Sequence, residues 1–499
     1  LLLGIFGFIF HARHDMRNFG VALALFFFTG PAIVLYLNEV PVTPRERDYV
    51  HVGSFMVFAL WIGLGAAALV YGWLKYIKPG PGLRMMAALP VLLVPGLLLS
   101  ENLDDHNRSG RYAARDFGKN MLTSCAQNAI LFTTADNDTY PIWYLQQVEN
   151  FRPDVRQVLT PFLGMDWYGN QMNTNYEGCG SVPVSFRDDE LLMKTNRYFP
   201  VIPRIDSAID VKELIGFIKS SDTRTMVRAG DGEVLKFVPG KNLSLPVNAG
   251  NFAQSSEYLV IGRNRLPEQI KFTLQKNYLT RDELLILDIL ANNDWKRPVY
   301  TIYPSLFHDI GLAPYLHREG MMYRLLPYRN SDVLHDRKAF AVHQYNLIND
   351  EFVWGNVNDP DVFVDHTIRQ NAETFRFRQM FAEVAGELIA VGENEKAAAL
   401  IDMARQIFPA EIFPYDVFSP DLVRCYYRMG KMDQGDLLTG EMARSAGVYL
   451  DCYLPDQHNQ PHDLDAQAQM QVFIMQELIR ICNEYNRPLG ERLLAGPWS

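Results

Sequence analysis

Cysteine is scarce in this sequence, and the spacing of the few cysteines points to no site. Their number is odd, no two form a CxxC pair, and the five are Cys125, Cys179, Cys425, Cys452 and Cys482. This excludes a disulfide framework and a cysteine-based zinc site. We expect buried free thiols, and a Cys425–Cys452 disulfide is the alternative in an oxidising compartment.

An excess of positive charge is also lacking. The chain has 47 Lys and Arg residues against 57 Asp and Glu, which gives a formal net charge of -10. A nucleic-acid-binding domain is typically basic, so the charge argues against nucleic acid as a partner. No GxxxxGK[ST] phosphate loop occurs either, and the glycine pair of RAGDGEV (228–234) predicts a hairpin turn.

Charged residues are rare in the first hundred residues, where long apolar runs occur instead. Residues 19–37, 52–76 and 83–103 are each about 20 residues long, the length that crosses a bilayer core as a helix. The chain opens in an apolar stub, LLLGIFGFIF, without the basic start and cleavage site of a signal peptide. We therefore expect membrane helices over 1–100, with the stub ending a longer span of a larger polytopic protein.

The distribution of Lys and Arg between the short loops predicts the orientation of these helices. Five basic residues lie in the first and third loops, and two lie in the loop at 38–49. The positive-inside rule places the richer loops in the cytoplasm. Residues after 100 are then extracytoplasmic, which in a Gram-negative bacterium means an inner-membrane protein with periplasmic domains.

Two polar segments flanking the apolar runs predict a site at the membrane surface. They are PRERDY at 44–49 and DDHNRSGR at 104–111. Guanidinium groups suit bidentate contact with phosphate, so the candidates for donor-phosphate binding are Arg45, Arg47, Arg108 and Arg111. The polar floor around them would consist of Glu46, Asp48, Asp104, Asp105 and His106. The alternative is a solvated hairpin with local ion pairs.

Residues 101–345 alternate between strand and helix patterns. AILFTTAD (129–136) and DVRQVLTPFL (154–163) are typical of strands, and DTYPIWYLQQVE (138–149) between them is typical of a helix. This alternation predicts an extracytoplasmic α/β domain with a parallel sheet. Further strands are predicted in EYLVIGR, RPVYTIY and MMYRLLP, helices in LTRDELLILDILANN and GLAPYLHREG, and an irregular insertion over 162–246.

An acidic cluster follows the first predicted strand. Parallel sheets bind ligands at the carboxyl ends of their strands, where Asp136, Asn137 and Asp138 lie. With Tyr140 and Trp143 they are candidates for binding an acceptor sugar or a divalent cation. The alternative is a turn that caps the next helix without any ligand. No wider metal-ligand pattern accompanies the cluster, so no cofactor is assigned.

The last region, 346–499, is helical and contains an internal repeat. Its spacing resembles that of tetratricopeptide repeats, with a first copy at Phe381, Ala385, Leu388, Gly392, Ala397, Ile401, Ala404 and Pro409. A weaker second copy comprises Val423, Tyr426, Gly430 and Gly435. We predict an all-α tetratricopeptide-like domain whose surface either binds a partner protein or serves as a structural cap.

Three segments together resemble a known family. They are YLNEVPVTPRERDYVHVGSF, ENLDDHNRSGRYAARDFGKNMLTSC and ILFTTADNDTYPIWYLQQVENFRPDVR, with the matching motifs at 44–49, 104–111 and 136–143. The chain is similar to the C-terminal portion of bacterial glycosyltransferase family 117, polytopic membrane proteins grouped with the protein O-mannosyltransferases. The resemblance implies a GT-C membrane enzyme that transfers a sugar from a polyprenyl-phosphate donor to an acceptor protein or glycan outside the cytoplasm.

The catalytic residue is not assigned by this resemblance. GT-C enzymes usually carry an acidic catalytic residue in the first extracytoplasmic loop, which would lie upstream of Leu1. The alternative function is a non-enzymatic envelope scaffold that binds a partner through the repeat, with Glu393 and Arg405 as expected contacts. A third interpretation is a periplasmic sugar or ion sensor.

Overall fold

A computed structural model divides the chain into two units, Leu1–Arg108 and Ser109–Ser499. It describes residues 1–38, 48–77, 80, 92–176, 178–187, 190, 198–228, 232–252, 266–332, 336–453 and 466–495. The two units are treated separately below. The predicted division of the larger unit at residue 345 stays a prediction.

The first unit is helical throughout its described part. Its α-helices are α1 (Leu2–His14), α2 (Met16–Phe28), α3 (Pro31–Leu37), α4 (Val52–Ile77) and α5 (Leu93–His106). Two stretches, Met16–Leu37 and Tyr49–Tyr76, are long and apolar enough to span a membrane, which confirms two of the predicted apolar helical segments. The third, 83–103, begins outside the described residues.

Glycine allows α1 and α4 to pack with their backbones close together. A Cβ on Gly7 would collide with the carbonyl oxygen of Trp61, and a Cβ on Gly65 would collide with that of Leu3. Trp61 is buried between Phe8, Phe19 and Phe26, and its indole nitrogen donates to Nδ1 of His11 at 3.2 Å. Small residues at helix crossings are typical of membrane bundles, where close packing replaces the hydrophobic effect.

The described part of the second unit begins with a helix, followed by twelve strands joined by further helices. The strands are β1 (Ile130–Thr133), β2 (Arg156–Leu159), β3 (Tyr198–Pro200), β4 (Ile209–Asp210), β5 (Met226–Arg228), β6 (Val234–Lys236), β7 (Asn242–Pro246), β8 (Gln269–Thr273), β9 (Tyr278–Thr280), β10 (Val299–Thr301), β11 (Leu316–Glu319) and β12 (Met322–Leu325). The helices among them are α6 (Ala113–Thr123), α7 (Asp136–Gln147), α8 (Thr160–Leu163), α9 (Tyr168–Met172), α10 (Val211–Lys219), α11 (Ala249–Phe252), α12 (Arg281–Asn293) and α13 (Ser305–His308).

The main sheet is mixed, with strand order β11-β12-β10-β1-β2. β1 pairs in parallel with β2 and β10, as predicted, but β12 is antiparallel to both β10 and β11. The prediction of a wholly parallel sheet was therefore wrong at one edge. The predicted helix GLAPYLHREG is instead a 3₁₀ turn, Ala313–Tyr315, followed by β11. Pairing with β12 across a two-residue turn with Gly320 at φ +58° overrides the helical composition.

The predicted irregular insertion is more regular than its sequence indicates. It contains α10, capped by Asp210, and the strands β4 and β7, which form a small sheet with β8 in the order β4-β7-β8. β5 and β6 pair antiparallel on either side of RAGDGEV, which confirms the hairpin interpretation, although 229–231 lie outside the described residues. The predicted strand EYLVIGR (257–263) also lies outside them.

The rest of the second unit is helical. Its α-helices are α14 (Arg337–Asn346), α15 (His366–Thr374), α16 (Phe377–Ala390), α17 (Asn394–Ile407), α18 (Ser419–Arg428), α19 (Met432–Tyr453), α20 (Ala466–Tyr485) and α21 (Arg487–Ala495). Gly392, at φ +81°, turns α16 into α17, and Gly430, at φ +75°, turns α18 into α19. The two helical hairpins therefore repeat with an offset of 38 residues, from 392 to 430.

One hydrophobic cluster joins the sheet to these helices. It contains Phe117 of α6, Leu131 of β1 and Tyr300 of β10 together with Phe377 and Phe381 of α16. Burial of aromatic side chains on this scale is the dominant stabilising contribution in such a unit. The face of the sheet that packs on the helices is thus part of their core.

A buried arginine fixes the entry to the second hairpin. The guanidinium of Arg378 donates to the carbonyl oxygens of Pro414 at 2.6 Å, Phe413 at 2.5 Å and Phe408 at 3.1 Å. The carboxylate of Asp416 lies 3.7 Å away and supplies the opposite charge. The loop between α17 and α18 therefore depends on one side chain.

Replacement of this arginine is expected to destabilise the second unit. Arg378→Ala leaves the buried carbonyl groups of Phe408 and Phe413 without a donor and Asp416 without its counter-charge. The expected loss is about 3 kcal/mol in the free energy of unfolding. Chemical denaturation in detergent measures it, with the exposed Arg444→Ala as the matched control, expected to change stability by less than about 0.5 kcal/mol. Equal stability of the two variants would contradict the assigned role.

The cysteines give a second prediction. Cys125, Cys179, Cys425 and Cys482 are buried and free, and burial raises the pKa of the Cys425 thiol to about 11. A thiol with a raised pKa stays protonated near neutral pH, and only the thiolate is nucleophilic. In a Cys452→Ser background, labelling by iodoacetamide is expected to be at least ~100-fold faster after unfolding than before. Rapid labelling of the native protein would show that the thiols are accessible.

Candidate functional site

The turn from β1 into α7 is held by Asp138. Its buried carboxylate accepts the backbone N–H of Ala135 at 2.7 Å and that of Thr134 at 3.0 Å. Burial raises the pKa of Asp138, and the two backbone N–H groups oppose that shift. Asp138 therefore caps the start of α7. Capping was the alternative to ligand binding in the sequence analysis of this cluster.

Asp136 and Asn137 are differently placed. Both are exposed in the first turn of α7, at the carboxyl end of β1. Their oxygen atoms are accessible to a ligand, and the positive end of the helix dipole adds a weak preference for negative charge. Among the residues that the structure describes, no group of three or more His, Cys, Asp and Glu side chains is arranged to hold a metal ion.

Tyr140 and Trp143 lie on one face of α7, three residues apart. Their ring centroids are 5.4 Å apart, and the residues are 54% and 38% exposed. Trp143 forms part of the wall of a cleft. Of the two aromatic residues named from the sequence, Trp143 therefore lies at a concave surface.

This cleft has a volume of about 390 Å³ and lies beside β2, an edge strand of the main sheet. Its aromatic lining consists of Trp143, Phe162, Trp167, Tyr168 and Tyr176. The rings of Phe162, Trp167 and Tyr168 contact one another edge to face, with centroids 5.4 to 5.7 Å apart. The hydroxyl of Tyr168 accepts the N–H of Leu159 at 3.0 Å, which attaches this aromatic cluster to the strand.

Two polar side chains from β2 complete the lining. The Nη2 of Arg156 donates to the carbonyl of Gln171 at 3.0 Å, and its guanidinium lies 5.2 Å from the Tyr176 ring. The Nε2 of Gln157 donates to the hydroxyl of Thr133 at 2.8 Å. Both residues are only 7% exposed.

Each of these side chains leaves one polar atom without a partner. Within the described protein, no group bonds to the Nε of Arg156 or to the Oε1 of Gln157. A buried polar atom left unpaired costs about 1 to 3 kcal/mol, so native proteins rarely keep one without cause. The residues that line the cleft thus include one unpaired donor and one unpaired acceptor beside aromatic rings, a composition typical of a small-molecule site.

The sequence prediction found only part of this site. It singled out Trp143, but it missed Arg156, Gln157, Trp167, Tyr168 and Tyr176. The segment from 161 to 178, PFLGMDWYGNQMNTNYEG, is dense in aromatic and amide side chains and was the available signal. It was assigned to a strand end and an irregular insertion.

The predicted phosphate site cannot be assembled from the described residues. Arg45, Glu46 and Arg47 lie outside them, as do the side chains of Asp48, Asp104 and Asp105. His106 bonds through Nδ1 to the carbonyl of Asn102 at 2.9 Å. Arg108 belongs to the first unit and Arg111 to the second.

Arg111 is engaged within the second unit. It pairs with the carboxylate of Asp365, and its guanidinium lies 5.4 Å from the Phe363 ring. The side chain is 14% exposed. Contact with a donor phosphate would therefore compete with an existing ion pair.

Comparison with known proteins gives one family match. A family model described as TMEM260-associated domain 2 matches residues 114–344, which include the main sheet and the aromatic cleft. No solved structure matches the chain.

The two aspartates of the cluster are predicted to respond differently to mutation. Asp138→Ala removes the acceptor of two backbone N–H groups and should lower the free energy of unfolding by about 2 kcal/mol. Asp136→Ala, at an exposed position, should change it by less than about 0.5 kcal/mol. Thermal unfolding of the full chain in detergent measures both. A larger loss for Asp136→Ala would mean that the cap is wrongly assigned.

Proposed function

We propose that this chain is a membrane glycosyltransferase-like protein that transfers a sugar from a polyprenyl-phosphate donor to an extracytoplasmic acceptor, as in protein O-glycosylation. Two observations support it: the helices that are apolar enough to span a membrane, and the match to a TMEM260-associated domain. TMEM260 is itself grouped with the protein O-mannosyltransferases. The proposed location is the bacterial inner membrane, with the second unit in the periplasm.

The observation that carries the proposal is the pairing of a free donor with a free acceptor in the aromatic cleft. Every hydroxyl group both donates and accepts, so different hydroxyl groups of one acceptor can bond to the Nε of Arg156 and to the Oε1 of Gln157. A phosphate could satisfy only the donor, and a cation could satisfy only the acceptor. The flat faces of Trp143 and Trp167 supply apolar area for the ligand body.

The cleft is accordingly assigned to the acceptor, a glycan or a hydroxyl-bearing polypeptide segment. In the transfer itself, a carboxylate takes the proton of the acceptor hydroxyl while cationic groups stabilise the leaving lipid phosphate. Asp136 and Asn137, exposed at the end of β1, are proposed to contact acceptor or cation. Arg45, Arg47, Arg108 and Arg111 remain the proposed contacts to donor phosphate.

Loss of the aromatic walls is expected to reduce transfer without unfolding the protein. Trp143→Ala and Trp167→Ala should each lower extracytoplasmic protein glycosylation about ten-fold, a loss of roughly 1.4 kcal/mol of acceptor binding. Glycoprotein levels in a deletion strain complemented with each variant measure the effect. Phe473→Ala, which removes a comparably exposed aromatic ring from α20, should leave glycosylation unchanged.

The polar candidates belong in the same complementation experiment. Asp136→Asn and Arg45→Ala should also lower glycosylation if they contact acceptor and donor phosphate. Wild-type glycan levels in the uncomplemented deletion strain would refute the proposed activity as a whole. Full activity of both tryptophan variants would refute only the assignment of the cleft.

The alternative function is a non-enzymatic envelope scaffold. The observation that favours it is the pair of helical hairpins. The two residues named for it on sequence grounds are engaged within the unit. Glu393 pairs with Lys338 and Lys396, each at 2.6 Å, and Arg405 pairs with Glu441 at 3.0 Å. A partner would therefore need another surface of these hairpins.

A further inference from the structure

A groove lies between the first helices of the two hairpins and the second edge of the main sheet. Its volume is about 590 Å³, the larger of the two clefts considered. One wall is β11, which contributes Leu316, His317 and Arg318. The opposite wall comes from α16 and α18, and part of α14 closes one side.

The helical wall repeats with the period of the hairpins. On α18 the lining residues are Asp421, Arg424, Cys425 and Arg428, and those on α16 include Glu383, Gly386, Glu387 and Ala390. Each of these α18 residues lies 38 positions after its counterpart on α16, the same offset as between Gly392 and Gly430. Equivalent faces of both hairpins therefore meet the same groove.

The groove is balanced in charge but contains one uncommitted cation. Arg318 pairs with Glu383, Arg337 with Glu387, and Arg424 with Asp421 and Glu477. Arg428 is exposed and forms no ion pair within the part of the chain that the structure describes. A Cβ at Gly386 would lie 3.6 Å from its Nη1, so the absence of a side chain there leaves room beside the guanidinium.

The opposite wall, β11, offers backbone groups beside the side chain of Arg318. β11 has a single neighbour, β12, in the sheet order, so its outer edge faces the groove. An edge strand presents N–H and C=O groups to which an extended peptide can add as a further strand. On β11 the carbonyl oxygen of Arg318 already accepts the side-chain amide of Gln344 at 3.1 Å, so an added strand displaces this one bond. The carboxylates of Glu383, Glu387 and Asp421 disfavour a polyanion, whereas a peptide can place a single acidic side chain beside Arg428.

We propose that this groove binds an extended segment of a partner polypeptide, which adds to β11 as a strand and places an acidic side chain on Arg428. The side chains of Arg337 and Glu387 are 49% and 42% exposed, and an ion pair so exposed to solvent contributes little stability. Its two side chains can separate at low cost when a peptide binds. The groove can therefore adapt to its occupant by local side-chain rearrangement.

Binding of model peptides to the full chain in nanodiscs tests the proposal. The probe is a fluorescein-labelled peptide of threonine residues with a single glutamate at its centre, and its binding is followed by fluorescence anisotropy. Arg428→Glu should weaken binding about five-fold, because it replaces an attraction by a repulsion at an exposed site. Arg444→Glu, an equal change on α19 outside the groove, should leave it unchanged, and Arg428→Lys should retain most of it.

Two further peptides separate strand addition from simple charge attraction. A version of the probe that is N-methylated at alternate residues cannot form the strand bonds and should lose binding. A peptide with a lysine in place of the single glutamate should bind more weakly than the acidic probe. No binding of the acidic probe, equal binding of the methylated probe, or equal loss with Arg428→Glu and Arg444→Glu would each overturn the proposal.

Discussion

The arrangement of the aromatic cleft depends on the ion pair between Arg152 and Asp154. The two side chains form a bidentate pair at 2.8 and 2.9 Å, and the same guanidinium donates to the carbonyl groups of Leu122, Cys125 and Ala126 at the end of α6. Asp154 also accepts the N–H of Asn128 at 2.9 Å, just before β1. One pair thus fixes the end of a helix and the starts of two strands. Arg156 and Gln157 follow within three residues, so their positions in the cleft are set by it.

This constraint explains how the cleft can keep two unsatisfied polar atoms. The strand that carries Arg156 and Gln157 is held from one end by Arg152 and along its edge by the hydroxyl of Tyr168. A rigid scaffold of this kind prevents the side chains from turning toward solvent to find partners. Pre-organised donors and acceptors bind a ligand at a lower entropic cost than flexible ones. The unfavourable free energy of the two unpaired polar atoms is offset by the packing of the rest of the unit.

Local signals in the sequence were sufficient for several elements. The Thr280 to Glu283 capping box predicts the start of α12, and the Thr280 N–H does donate to the Glu283 carboxylate at 2.8 Å. The strand at β1 and the helix at α7 follow from composition and alternation. Such features depend on residues within one or two turns of each other, which a sequence pattern contains in full.

Features that depend on distant pairing were not accessible in this way. β11 becomes a strand because β12 pairs with it, and nothing in GLAPYLHREG itself excludes a helix. Arg156 and Gln157 become part of the candidate site only because β2 is at the edge of the sheet, which is a property of the strand order. The role of Asp138 was also not accessible from the sequence, because its sequence context is compatible with both ligand binding and helix capping. Its burial in the structure favours capping.

The two proposed binding surfaces lie at opposite edges of one five-stranded sheet. The aromatic cleft flanks β2, and the charged groove flanks β11. Four strand spacings of about 4.8 Å separate these edges, roughly 19 Å in all, so occupants of the two surfaces need not exclude each other. Exposed sheet edges invite unwanted pairing, and proteins usually cover them. Here Tyr168 bonds to the β2 edge at the N–H of Leu159, and Gln344 bonds to the β11 edge at the carbonyl oxygen of Arg318, although β11 also lines the charged groove.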